Sequence, residues 1–475
     1  MSRILMVASE AGPFVKSGGL GDVMAALPAA LVRRGEDVAV VVPRYRVLEY
    51  GGVATPSRIL SGLLFSMGPH QFSVGVNQQI HHGVRYYFVD CLRLYDRPGI
   101  YGEGGADYPD NHIRFGLLNL VALSIARSLF PARILHGHDW QAGLLPAYLR
   151  TNFAGDPTFF GTRCVQTIHN IGYQGNFPRA ALGDLSLDPA YFNPQGLEFY
   201  GRMSFLKAGL VWSDAITTVS PTYAREIQTP DFSYGMDGLL RARANVLTGI
   251  LNGVDYDEWN PETDRHLPAH YSGSDLSGKR TDKRALLTEL GLPDNLDRPL
   301  IGIVSRLVEQ KGFDLIGGAM AQLLGEDPPE DFAMAVLGSG EWRFEEMLRR
   351  LAESRPDRFA VWIGYDEALS HRIEAGADMF LMPSRYEPCG LSQIYSLRYG
   401  TVPIVRATGG LDDTVDEETG FKFRDYSPTA LADAIRAAVL AWRDPDSWRL
   451  RMQRGMAKEY SWDAAAEQYQ KVYYS

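Results

Sequence analysis

Cysteine is nearly absent: Cys91, Cys164 and Cys389 are the three thiols in 475 residues. They are too few and too scattered for a disulfide framework, and an odd number leaves at least one unpaired, which predicts a reducing, cytoplasmic setting. Long apolar runs are lacking too. No stretch reaches the roughly 18 uninterrupted apolar residues of a membrane-spanning helix, and the opening MSRILMVASEAG breaks at Glu10 before a secretory core can form, so no membrane association is expected. A basic surplus is also missing: 57 acidic residues against 47 basic ones give a net charge of −10, which argues against broad nucleic-acid binding. Finally, the chain carries neither the six-residue dinucleotide fingerprint nor a Lys-Ser/Thr-terminated P-loop, so bound NAD or a Walker-type ATP site is not expected.

What the chain does have is enough apolar content, 45% hydrophobic and 11% aromatic, for more than one large core, and its length predicts two or three domains. Short apolar runs alternate with amphipathic segments: Ile4 to Val7, a helix from Leu20 to Arg34, then Val38 to Val42. This is the pattern of a parallel sheet with helices on both faces. Further strands are predicted at 85–89, 134–137, 163–168 and 215–219, with helices at 113–129 and 141–149. Between Leu251 and Pro299 the pattern gives way to Asn, Asp, Pro and Gly around one helix, 279–290, and a boundary is expected near Gly249 to Asn252. The rhythm then restarts with strands at 301–304, 334–337, 359–363, 379–382 and 402–405, predicting a second doubly wound domain. Three helices close the chain, at 429–442, 447–458 and 462–473. The last carries an apolar stripe of Trp462, Tyr469, Val472 and Tyr473.

Chemistry concentrates where strands hand over to helices. Arg385-Tyr386-Glu387-Pro388-Cys389-Gly390-Leu391 follows the 379–382 strand. Pro388 blocks an earlier helical interior, so a helix is expected from about Gly390, with its first amides free for an anion. Arg306 and Lys311 follow the 301–304 strand and precede the helix from Phe313. Cations at a helix start oppose its dipole unless an anion sits with them, which favours a ligand role. Thr408-Gly409-Gly410-Leu411 repeats the device as a further loop of free amides. After the first strand comes Lys16-Ser17-Gly18-Gly19-Leu20-Gly21-Asp22, where Gly18 and Gly19 let main-chain N–H groups approach a diphosphate and Lys16 supplies charge. Tyr365, after the 359–363 strand, offers a face on which a nucleobase can stack.

Other clusters read more plainly. His136-Gly137-His138-Asp139-Trp140 lacks the partners of a zinc site. Asp139 suits an N-cap for the helix at Trp140, and His169 after the 163–168 strand suits a ligand contact better than a metal donor. Asp255-Tyr256-Asp257, flanked by Asn252-Gly253 and Trp259-Asn260-Pro261, predicts an Asx turn rather than a magnesium site. Cys389 has no histidine adjacent in sequence to make it a nucleophile. Two cations and aimed amides suit a departing diphosphate, which needs electrostatic stabilisation more than a strong acid. The residues leave open whether the anion is a diphosphate, a phosphate or a carboxylate.

Taken together, Ser9-Glu10 with KSGGLGDV at 16–23, His138-Asp139-Trp140, Thr167-Ile168-His169-Asn170, TGILNGVDY at 248–256, Arg306-Leu307 with Gln310-Lys311-Gly312, Ile363-Gly364-Tyr365, Glu387-Pro388-Cys389-Gly390-Leu391 and Thr408-Gly409-Gly410-Leu411 resemble the bacterial glycogen synthase and plant starch synthase family. These are ADP-glucose-dependent retaining glucosyltransferases, and the resemblance covers essentially the whole chain. It implies an α/β protein of the GT-B type with two facing doubly wound, Rossmann-like domains and a C-terminal helix crossing back to the first. Residues 1–250, with 460–475, would form a glucan-acceptor domain, and 251–459 an ADP-glucose-binding domain. Arg306 and Lys311 would grip the diphosphate, Glu387 would face the glucosyl unit, and Tyr365 would stand beside the adenine. Asp139 and His169 would hold the glucose or acceptor, while Lys16, Gly18 and Gly19 would meet the distal phosphate and sugar. Cys389, Gly390, Leu391, Thr408, Gly409 and Gly410 would complete the anion site. The implied partners are ADP-glucose and an α-1,4-glucan such as glycogen, with no nucleic acid, no metal and no organic cofactor. Another two-domain nucleotide-sugar transferase, building trehalose or sucrose, and a glucan-binding module without transfer are the competing readings.

Overall fold

Apolar runs without alternation, such as RILMV and DVAVVVP, mark strands covered on both faces. In the computed structural model, which describes residues 2–48, 53–325 and 329–475, these two runs pair in parallel near the middle of a sheet. The chain divides into two units, one of Met1–Val219, Ala224–Gly253 and Trp462–Ser475, the other of Ser220–Tyr223 and Val254–Ser461.

In the first unit the strands are β1 (Arg3–Val7), β2 (Asp37–Pro43), β3 (Ser57–Met67), β4 (His70–His81), β5 (Val84–Asp90), β6 (Ile134–His138), β7 (Arg163–Ile168), β8 (Ala215–Thr218) and β9 (Leu247–Gly249). They form one nine-stranded sheet in the order β9-β8-β7-β6-β1-β2-β5-β4-β3. All neighbours are parallel except the β3–β4 and β4–β5 pairs, which make an antiparallel edge. The chain steps from β1 to β2 on one side and later returns to β6 on the other. The switch point of the sheet therefore lies between β1 and β6, and ligands of such sheets bind at the C-terminal strand ends there.

The C-terminal helix Trp462–Tyr474 belongs to this unit and buries Trp462, Ala465, Ala466, Tyr469, Val472 and Tyr473. It packs along the first helix, Gly19–Arg33. It also makes polar contacts: the Tyr473 hydroxyl lies 2.8 Å from Nδ1 of His136 in β6, and Gln470 and Tyr474 each donate to the buried Glu36 at 2.7 Å.

The second unit repeats the plan with β10 (Leu300–Val304), β11 (Ala333–Gly338), β12 (Phe359–Ile363), β13 (Met379–Met382), β14 (Val402–Arg406) and β15 (Phe421–Phe423). The order is β12-β11-β10-β13-β14-β15, with the switch point between β10 and β13. Strand alternation divides its core into two layers. Ile301, Ile303, Met334, Val336, Met379 and Leu381 join the helices Phe313–Gly325 and Pro428–Trp442 on one face. Leu300, Ala335, Leu337 and Phe380 join the helices Ser277–Glu289 and Glu367–Gly376 on the other. Among the described residues no helix is long and apolar enough to cross a membrane.

Candidate active site

In the second unit, Arg306 and Lys311 leave the end of β10 and Glu387 leaves the end of β13, the two strands flanking the switch point. The turn after β10 is a short 3₁₀ helix, Glu309–Lys311, stopped by Gly312 at φ 79°. Only glycine fits there: a Cβ on Gly312 would sit 2.0 Å from the carbonyl oxygen of Pro383. That close approach, with the Arg385 amide donating to the Gln310 carbonyl at 2.9 Å, brings the two loops into register.

The result is a direct bond between the two charges. Lys311 Nζ donates to Glu387 Oε2 at 2.6 Å, with the side chains 19% and 7% exposed. The same oxygen accepts the Ser384 hydroxyl at 3.0 Å. Arg385, the nearer cation in sequence, turns away to Glu309 and Asp314 and stacks on Tyr426. Arg306 is exposed, and among the described residues its guanidinium makes no hydrogen bond or ion pair. The site therefore holds one neutralised pair and one uncommitted cation. Tyr365 follows the end of β12 and is 86% exposed.

The expectation of free amides needs correction at several places. The helix begins at Ser392 rather than Gly390, and the N–H groups of Gly390 and Leu391 find no acceptor among the described residues. In the second loop the amides are largely used: Gly410 donates to the Glu387 carbonyl at 3.1 Å, Leu411 to Thr408 at 3.1 Å, and Thr408 to Arg406 at 2.9 Å. The loop is instead a buttress. A Cβ on Gly409 would lie 1.8 Å from the Glu387 carbonyl oxygen, and one on Gly410 2.0 Å from that of Cys389. The two glycines thus let one backbone lie flat against the segment that carries Glu387. Cys389 is buried and forms no disulfide.

In the first unit the glycine loop follows β1, and the Asp139 and His169 loops follow β6 and β7. The Gly18 amide is not free either. Glu10, buried at the end of β1, accepts from the amides of Ser17 at 2.5 Å and Gly18 at 3.2 Å and from the Ser17 hydroxyl at 2.8 Å. Tyr101 also donates to it. Glu10 orders the loop, a role that sequence reasoning did not assign. The signal was a lone carboxylate closing an apolar strand eight residues before a glycine run. Lys16 pairs with Asp22 at 2.5 Å, and burial pushes the Asp22 carboxyl up despite that partner.

Asp139 is strained and buried, with φ at 56°, a conformation that costs on the order of 1–3 kcal/mol for a non-glycine residue. Its side chain does not cap the following turn as expected. Oδ1 accepts instead from the amides of His169 at 2.7 Å and Asn170 at 3.3 Å, tying the loop after β6 to the loop after β7. Burial pushes its carboxyl up to about 7, although the two amides pull the other way. His169 Nε2 lies 2.9 Å from His138 Nδ1, and burial lowers His169 to about 3, so this pair is neutral. His136 is spent on Tyr473 and Thr167 and is likewise lowered to about 3 by burial. Asp257 donates its amide to Asp255 Oδ1 at 2.9 Å, an Asx turn.

Residues 3–242 match the model of the starch synthase catalytic domain, and residues 291–453 that of glycosyl transferases group 1. A glycogen synthase of Anaeromyxobacter sp. (strain Fw109-5) is 50% identical over 482 residues, covering 100% of this chain and 99% of its own. One of Koribacter versatilis is 47% identical over 478 residues, covering 99% and 97%. The catalytic domain of starch synthase IV from Arabidopsis thaliana, solved bound to ADP and acarbose, superposes with a TM-score of 0.90 at 31% identity over 100% of this chain and 99% of that one. A sucrose-phosphate synthase from Thermosynechococcus elongatus shares the fold at a TM-score of 0.62 and 18% identity, covering 100% of this chain and 98% of its own. With relatives of this identity along its whole length and two doubly wound units of the GT-B type, the chain belongs to the bacterial glycogen synthase family of retaining glycosyltransferases.

Proposed function

We propose that this protein transfers glucose from ADP-glucose to the non-reducing end of an α-1,4-glucan, with retention of anomeric configuration, and releases ADP. The observation that carries the reading is the Lys311–Glu387 pair beside the uncommitted Arg306 at the switch point of the second unit. In the transfer, the bond from the anomeric carbon to the β-phosphate oxygen breaks and its electron pair stays with ADP. The acceptor 4-hydroxyl forms the new bond on the same face and gives its proton to the departing phosphate oxygen. Arg306 and Lys311 stabilise the charge growing on the diphosphate. Glu387 faces the positive character at the anomeric carbon. Its partner is a lysine rather than a second carboxylate, unlike the pair with which a glycosidase activates water.

Tyr365 is assigned to the adenine, and the amides of Gly390 and Leu391 to the diphosphate. In the first unit, Lys16, Gly18 and Gly19 are assigned to the distal phosphate and sugar, and Asp139 and His169 to the sugar hydroxyls. The second unit is thus the nucleotide-binding half and the first the acceptor half. Cytoplasmic residence is part of this reading, supported by three buried cysteines that form no disulfide.

The test is to follow ADP release and radiolabel together, with ADP-glucose or UDP-glucose as donor and glycogen as acceptor. ADP formation matched by label in polymer is expected from ADP-glucose, and much less from UDP-glucose. Polymer binding without either product would leave a glucan-binding module. No metal enters the reaction, so exhaustively chelated protein is expected to keep substantial transfer. Complete loss restored only by a divalent ion would assign a metal to the chemistry.

A further inference from the structure

One cluster of ligand-type side chains lies outside the residues assigned to transfer. His266, Glu367 and His371 each bring a ligand atom within 4.8 Å of the others. Glu367 and His371 are four residues apart on the helix Glu367–Gly376 and so share a face, while His266 comes from the segment before the helix Ser277–Glu289.

The histidine at the centre is built into place. His371 is 1% exposed, and its ring stacks on Trp259 at 3.7 Å between centroids and 12° between planes. Its Nδ1 lies 2.7 Å from Oδ2 of the buried Asp264, which also accepts the Tyr399 hydroxyl at 2.5 Å. A carboxylate cannot donate, so Nδ1 carries the proton and Nε2 is left with its lone pair. That Nε2 is buried and has no hydrogen-bond partner among the described residues. Asp264 reaches the second histidine as well, since its Oδ1 accepts the His266 amide at 2.9 Å. A carboxylate that fixes the tautomer of one histidine and the backbone of another is the outer support that metal-ligating imidazoles require.

We propose that His266, Glu367 and His371 form a binding site for a divalent transition ion, with Zn²⁺ the best match. Two imidazoles and one carboxylate suit zinc and its neighbours, whereas Mg²⁺ and Ca²⁺ call for oxygen ligands throughout. Bonds of about 2.0–2.2 Å put the ligand atoms of one tetrahedral zinc ion roughly 3.3 Å apart. The exposed Glu367 and the half-buried His266 close the present spread by side-chain rotation, and the same exposure gives the ion its entry path. Arg265 touches His266 Nε2 at 3.4 Å from an exposed position and is able to swing out. Three protein ligands leave one position for water, and the ion clamps the 264–266 segment onto the helix that follows Tyr365.

The test uses the full chain, stripped with a chelator and titrated with Zn²⁺ against a chromophoric competitor, then with Co²⁺ for its spectrum. One tightly held ion per chain is expected, with cobalt d–d bands of a nitrogen and oxygen set and a rise in the melting temperature of the second unit on Zn²⁺ addition. His266→Gln and Glu367→Gln, both at accessible positions, are each expected to weaken Zn²⁺ binding by at least about tenfold, within the range of altered metal shells, while the metal-free melt stays unchanged. Tyr399→Phe, which keeps the ring but frees Asp264 of one donor, is expected to leave the ion bound with altered affinity. No binding, binding indifferent to both glutamine variants, or thiolate-to-cobalt charge transfer would overturn the site, leaving Nε2 of His371 to an ordinary water.

Discussion

The Lys311–Glu387 bond makes the two residues inseparable in any single substitution. Arg306 stands apart from it, exposed and uncommitted. Removing one member of a largely buried pair leaves the other charge uncompensated, which costs about 3–5 kcal/mol in a fully buried case and less here because Lys311 is partly exposed. Arg306→Ala is therefore expected to cut transfer roughly a hundredfold with an unchanged melt, whereas Lys311→Met and Glu387→Gln each cut transfer and lower the melt. The double variant Lys311→Met/Glu387→Gln should recover much of the stability and none of the transfer. Thermal melts and turnover on the four proteins check this, and a double variant as unstable as the sum of its parts would dissolve the coupling. The residue types at this site were legible because each follows a strand end, and sequence order predicts which strand ends meet ligands. Their pairing was not. Arg385 is two residues from Glu387, but the Gly312–Pro383 contact that delivers Lys311 is set by tertiary approach.

Asp139 offers a pH test. Burial raises its folded value to about 7 from an ordinary 3.8, so between those limits the folded state binds more proton than the unfolded one. Its ionisation then costs stability that is absent below about pH 4, grows as pH rises, and levels off above about 7. Asp139→Asn keeps an acceptor for the His169 and Asn170 amides without the charge. It is expected to melt above the wild type at pH 8, to lose that advantage as pH falls toward 4, and to transfer glucose poorly. Melts across that range decide it: an advantage that does not change with pH would mean that the carboxyl is not desolvated as described.

Among the elements, the buried parallel strands were predicted to within a residue or two, because a strand covered on both faces must be apolar throughout. The β3–β4 edge escaped notice: Ser57–Met67 is mostly exposed, so its sequence carries no core pattern to read. The sequence likewise sets no bounds on the helices Trp342–Ser354 and Glu367–Gly376, which separate the predicted strands. Glycine pairs suggest free amides, but whether a carbonyl already occupies them depends on which backbone lies alongside. Gly409→Ala and Gly410→Ala force a Cβ onto the main chain that carries Glu387, so both are expected to lose stability and transfer together. A Cβ on Gly18 or Gly19 meets nothing within 4 Å, and Gly19 opens a helix where alanine is favoured by up to about 1 kcal/mol. Gly19→Ala should therefore melt no lower than the wild type, and a fall in transfer despite that would mark close approach of substrate. Unimpaired transfer in Gly18→Ala and Gly19→Ala would return the loop to a purely structural role.

At the scale of the whole molecule, the chain enters the second unit before it has finished the first, and it closes the first unit with its own last helix. Repetition of the strand-helix rhythm made two doubly wound units legible, and the stripe of Trp462, Tyr469, Val472 and Tyr473 showed that the last helix needs a surface. The family resemblance implied that it returns to the first unit, but its polar partners are set by tertiary approach: Nδ1 of His136 in β6 meets Tyr473, and the buried Glu36 accepts from Gln470 and Tyr474. Removing the helix does two kinds of damage in the first unit: it uncovers apolar side chains along Gly19–Arg33, and it takes away the hydroxyl that Nδ1 of His136 meets. Burying an unpaired polar group costs about 1–3 kcal/mol on its own. Tyr473→Phe isolates that part, since the ring and its packing remain. The first unit is therefore expected to unfold earlier in Tyr473→Phe by an amount that matches one lost buried hydrogen bond, and far earlier in a chain ending at Ser461. The second unit, whose layers are completed by Pro428–Trp442 and by Trp448 of the next helix, should melt nearly as before in both. Hydrogen exchange resolved by segment separates the two cases: equal loss of protection in β1, β6 and β10 would mean that the last helix supports the molecule as a whole rather than the sheet it covers.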